Sequence, residues 1–140
     1  MKSKIYGLLF VPAFFISCSE QKSNPSSDSD VDAARNFIRA SLNNDFREAQ
    51  AYLLPDSANA ELLRLAEERR ATLSREENIN YRQSSIVIYD TRKIDDSTSI
   101  ITYDNSYKKA KNDLRVVRRN GQWLVDLKYT LLRSDSTGKR

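Results

Sequence analysis

The sequence contains no histidine, a single cysteine and three glycines in 140 residues. Without imidazole there is no histidine-based catalytic triad, no histidine-ligated metal and no histidine general base. The glycines stand at 7, 121 and 138, too far apart to build a glycine-rich phosphate loop. Cys18 has no second thiol with which to form an intramolecular disulfide, so a domain in this chain rests on its core. The apolar run from Ile5 to Ile16, broken by Gly7 and Pro12, is too short for a spanning helix, which needs about 20 apolar residues. The basic residues behind the formal charge of +4 are scattered rather than clustered, which argues against a nucleic-acid partner.

What is present begins at the N-terminus. Lys2 and Lys4 followed by that apolar run have the layout of a secretory signal. The run ends in Phe15-Ile16-Ser17-Cys18, which resembles a lipobox, with Phe15 where Leu is usual. The resemblance implies a lipoprotein signal peptide over 1–17 and a diacylglyceryl thioether on Cys18. It also implies an exported chain attached to a membrane of the cell envelope. Ser19 is not the Asp that retains many such lipoproteins at an inner membrane, which points to an outer membrane, facing the periplasm or the surface. Loss of Lys2 and Lys4 with the signal brings the charge close to balance. Residues 18–29 are polar and serine-rich and read as a flexible tether, and 134–140 reads as a frayed tail. One domain is expected between them, over 30–133.

Within that span the periodicity changes from helical to strand-like. A first helix capped by Asp30 places Val31, Ala34, Ile38 and Leu42 on one face, with Phe37 beside them. Asn43-Asn44-Asp45 ends it and caps a short second helix with Phe46, Ala49 and Leu53 inward, stopped by Pro55. Asp56 or Ser57 caps a third, with an inward stripe of Leu62, Leu65, Ala66 and Leu73 and an exposed Glu67–Arg70 pair. Alternation then predicts antiparallel strands near 84–91, 97–107, 113–119 and 122–131. Asp95-Asp96 and, more strongly, Asn120-Gly121 mark turns between them. In the last strand Trp123, Val125, Leu127 and Tyr129 share one face. The expected class is α+β: three N-terminal helices on one face of a curved four-stranded antiparallel sheet.

Asn44-Asp45-Phe46-Arg47-Glu48-Ala49 after the first helix, and the closing hairpin Arg118-Arg119-Asn120-Gly121-Gln122-Trp123, resemble nuclear-transport-factor-2-like domains of the cystatin-like superfamily. The likeness extends to the small exported lipoproteins of that group, often described as lumazine-binding or of unknown function. It implies a conical cavity between helices and sheet, a fold that hosts enzymes, ligand binders and contact modules alike. Asp45, Gly121 and Trp123 also have plain structural roles as a cap, a turn and a core aromatic.

Three functions remain open. The first is a non-catalytic interaction module without cofactor or metal, meeting an envelope protein or its own copy through the sheet. The second is a binder of a planar or hydrophobic small molecule, its cavity lined by Tyr103, Trp123 and Tyr129. The third is acid–base catalysis by Asp90, Asp104 or Asp126 with Tyr81, Tyr89 or Tyr103, which needs a carboxyl buried beside a phenol. Lys108-Lys109-Ala110-Lys111 reads as a solvated hairpin tip. Asp56-Ser57-Ala58, Asp96-Ser97-Thr98 and Asp135-Ser136-Thr137 match short O-glycosylation signals, and equally well the chemistry of turns and caps.

Overall fold

The computed structural model describes residues 27–130. Cys18, the signal expected over 1–17, most of the expected tether and the tail at 134–140 lie outside the described residues.

Ser29 caps α1 (Asp30–Leu42), its Oγ accepting the Asp32 N–H, so the cap lies one residue earlier than Asp30. Asp30 is itself buried, and its carboxylate accepts hydrogen bonds from the Val31 N–H and from Ser99 Oγ on the sheet. Ala33, Ala34, Phe37, Ile38 and Leu42 make the buried face of α1, which lies across all four strands. The two alanines, with no exposed surface, let the helix approach the sheet closely.

Asp45 caps α2 (Phe46–Ala51) through the Glu48 N–H, as its spacing predicts. The helix ends well before Pro55, because residues 52–54 leave it to pair with the sheet. The Leu54 N–H donates to the Val125 carbonyl and the Val125 N–H to the Tyr52 carbonyl, both at 2.8 Å.

Asp56 caps α3 (Ser57–Ala71), and here the expected stripe is wrong. Leu63 is the buried leucine, whereas Leu65 is 46% exposed and Leu62 and Leu73 are half-buried. Apolar residues lie on more than one side of α3, so the helical period alone does not select the inward face. A helix that the periodicity does not predict follows, α4 (Arg75–Gln83), opened by a capping box between Ser74 and Glu77.

The sheet is an open antiparallel meander in the order β1 (Ile86–Asp95), β2 (Thr98–Asn105), β3 (Asn112–Arg119), β4 (Gln122–Asp126). The domain is α+β as expected, with more helix than the three expected segments. Asn120 and Gly121 have φ of 51° and 81°, the left-handed pair that a type I′ hairpin requires. The first turn sits at Asp96-Ser97, one residue later than expected, with the Asp95 carboxylate accepting from the Ser97 N–H at 2.8 Å. A bulge between Ile88 and Asp90 leaves Tyr89 without a register partner on β2, so the inward side switches from Ile86 and Ile88 to Thr91. β4 stops at Asp126 rather than 131, and 128–130 form a helical turn. Ile101, Leu114, Val116 and Val125 form the sheet side of the core, with Trp123, Tyr103 and Leu127 packed against it half-buried.

Candidate functional site

Asn59, fully buried in the first turn of α3, fixes one end of that helix. Its Oδ1 accepts the Leu127 N–H at 2.8 Å, and its Nδ2 donates to Asp56 Oδ2 at 2.9 Å. The Lys128 ammonium then reaches Asp56 at 2.5 Å. These contacts hold the Asp56 carboxyl below its ordinary range, the Lys128 hydrogen bond first, and raise the Lys128 ammonium above its own.

The other end of α3 is held by Arg70, which is buried and not the exposed partner of Glu67 that its spacing suggests. Arg70 Nη2 donates to the Leu42 carbonyl at 2.8 Å and Nε to Asn78 Oδ1 at 2.7 Å. The guanidinium lies 4.1 Å from the centroid of the Tyr81 ring. Burial pushes it down from its ordinary pKa, with the Tyr81 phenol opposing that shift and the Arg82 cation adding to it. Tyr81 in turn meets Tyr107 edge to face at 5.0 Å.

Held at both ends and packed mainly on α2, α3 leaves a groove of about 550 Å³ over α1 and the sheet. Phe37, Leu42 and Phe46 form much of one wall, and Leu62, Leu65 and Ala66 of α3, with Leu73 just after it, the other. Tyr81, Tyr103, Asn105 and Arg70 lie along it as well, and Leu127 contributes from beyond β4. Among the described residues no carboxylate lines the groove.

Of the three aromatics expected to line a cavity, only Tyr103 does so, and burial pushes its phenol up to about 12. Trp123 packs against the core outside the groove, with the Arg118 guanidinium 5.9 Å from its ring. Tyr129 is half-buried in the turn after β4 and off the groove, because β4 ends three residues before it.

The three candidate aspartates also lie off the groove. Asp90 is exposed. Asp104 is buried and accepts the Tyr89 hydroxyl at 2.8 Å, which raises the Tyr89 phenol above its ordinary value. Tyr103 and Asp104 are consecutive in β2 and point to opposite faces, so Asp104 does not accompany the Tyr103 phenol in the groove. Asp126 is buried near Lys128 at 3.7 Å and Arg115 at 3.9 Å. Among the described residues no cluster of acidic or thiol side chains is arranged to hold a metal ion, and no helix is long and apolar enough to cross a membrane.

At the expected solvated tip, Lys111 lies 4.2 Å from the Tyr89 ring and Lys108 5.1 Å from Tyr107, so both lysines lean on aromatics. Arg70 is the residue that sequence reasoning misses. Its burial depends on Asn78 and Tyr81 of α4, and the capping pair Ser74 and Glu77 is the signal that could have revealed that helix.

No family model matches the chain, and no curated protein or solved structure is similar enough to it to extend these observations.

Proposed function

We propose that this chain is a membrane-anchored, non-catalytic binding module of the cell envelope that holds an apolar small molecule in the groove beneath α3. The observation that carries the reading is the placement of Leu62, Leu65 and Ala66 along open space instead of in the core. A groove of about 550 Å³ falls within the ~300–1,000 Å³ typical of small-molecule sites. The separation of Asp90, Asp104 and Asp126 from it supports binding over acid–base chemistry. The lipobox-like Phe15-Ile16-Ser17-Cys18 supports a lipid anchor, with an outer membrane as the location, and helices followed by a meander support a nuclear-transport-factor-2-like, cystatin-like cone as the finer fold. The test is binding of an uncharged naphthylamine dye that fluoresces in apolar surroundings. The native chain should bind it, and Ala66→Trp, which fills the groove from a site exposed on α3, should lose binding while keeping its fold. No fluorescence rise with the native chain at saturating dye would count against the reading.

A second reading, contact with an envelope protein or a second copy, is favoured by β1, where Val87, Tyr89 and Ile94 are 37, 49 and 53% exposed. Changing Val87 and Ile94 to Lys should then abolish co-purification of that partner, or a dimer seen by sedimentation.

A further inference from the structure

Arg70 is a buried cation without an acid. Its two hydrogen-bond acceptors, the Leu42 carbonyl and the Asn78 side-chain amide, are neutral. Among the described residues no carboxylate lies within ion-pair distance of it. A guanidinium has five N–H donors, and Nη1 makes no hydrogen bond to the described residues. Nη1 is not sealed from solvent, since no side-chain nitrogen or oxygen among the described residues is left both fully buried and unpaired. Arg70 itself is one of the residues that line the groove. Burying a charge without its counter-charge is unfavourable, and an anion supplied from outside removes the penalty. The surroundings specify the rest of that anion: leucines, phenylalanines and tyrosines along the groove, and Arg69 at its exposed rim.

Resting on the groove being a ligand site, we infer that its ligand is a single-chain amphiphile with a carboxylate head. The carboxylate pairs with Arg70, and the hydrocarbon lies along Leu62, Leu65, Ala66 and Phe46. At about 550 Å³ the groove has room for one acyl chain. A single buried guanidinium, already sharing two of its donors, matches a monoanionic head better than a phosphate, which takes more donors.

The experiment titrates the full chain, held in nanodiscs with empty nanodiscs as reference, with dodecanoate, dodecanol and dodecyl phosphate. Dodecanoate should bind at least about tenfold more tightly than dodecanol, the value of one charge-assisted hydrogen bond. Arg70→Met should remove that difference between dodecanoate and dodecanol. Because Arg70 also ties α3 to α1 and α4, a second measurement uses the native chain alone. The carboxyl of bound ¹³C-labelled dodecanoate, titrated by NMR, should ionise at a lower pH than in water, whereas an apolar groove without a cation raises it. Equal binding of dodecanoate and dodecanol, a raised carboxyl pKa, or tighter binding of dodecyl phosphate would overturn the inference while leaving the groove a ligand site. Binding of none of the three would remove the groove reading itself.

Discussion

Asn59 and Leu127, 68 residues apart, are joined by a 2.8 Å hydrogen bond from the Leu127 backbone to the Asn59 side chain, and that bond sets where β4 ends. The Leu127 N–H is engaged with α3 and not with a neighbouring strand, so the chain turns away after Asp126. Asn59→Leu should preserve the volume but strand the Leu127 N–H, while Asp56 loses one donor and keeps Lys128 and the backbone N–H of residue 59. The expected loss is about 2 kcal/mol, read from the urea midpoint at unchanged slope.

Leu63 and Leu65 are two residues apart on α3 and should respond in opposite ways. Leu63→Ala opens a cavity under a side chain that is 6% exposed and should cost about 2–4 kcal/mol. Leu65→Ala, at 46% exposure, should stay within about 0.5 kcal/mol of the native chain in the same urea titration and weaken dye binding instead.

The Asp56–Lys128 pair predicts a specific acid dependence. Its folded carboxyl titrates below the ordinary 3.8 and the unfolded one near it, so the stabilisation is complete above the unfolded value and is lost as pH falls through the folded one. For Lys128, raised above 10.5, the contribution is complete below that value and lost as pH rises through the folded pKa. Lys128→Met should therefore flatten the fall in melting temperature on the acid side. An acid limb identical to the native one would show that the pair contributes nothing there.

Gly121, with φ of 81° and no atom within 4 Å of where a Cβ would stand, isolates backbone strain from packing. Gly121→Ala should lower stability by about 1 kcal/mol, seen in the same denaturation curve, without altering ligand affinity.

Short-range signals are the legible ones. The Asp45 and Asp56 caps and the Asn120-Gly121 turn each depend on contacts within about four residues, so residue type and spacing suffice. The failures share a different cause. The period-2 pattern from Trp123 continues past Asp126, but the strand is ended by a bond to Asn59 from the other end of the fold. α4, with the sequence Arg-Glu-Glu-Asn-Ile-Asn-Tyr-Arg-Gln, has no apolar stripe to announce it. Without α4, Arg70 has only Glu67 as a visible partner, and the charged end of the groove stays hidden. The leucines of α3 are recognisable as apolar, yet only tertiary placement decides which of them meets the core and which meets open space.

The bonds from residues 52–54 to Val125 have a consequence for assembly. They occupy the outer N–H and carbonyl of Val125, and Asn59 occupies the outer N–H of Leu127, so the β4 border offers little to an incoming strand. Among the described residues the β1 border alone is left, and it is interrupted by two bulges. A sheet that can be extended from one side joins another copy once and then stops. At high local density, that one-sidedness separates a pair of molecules from a growing fibre.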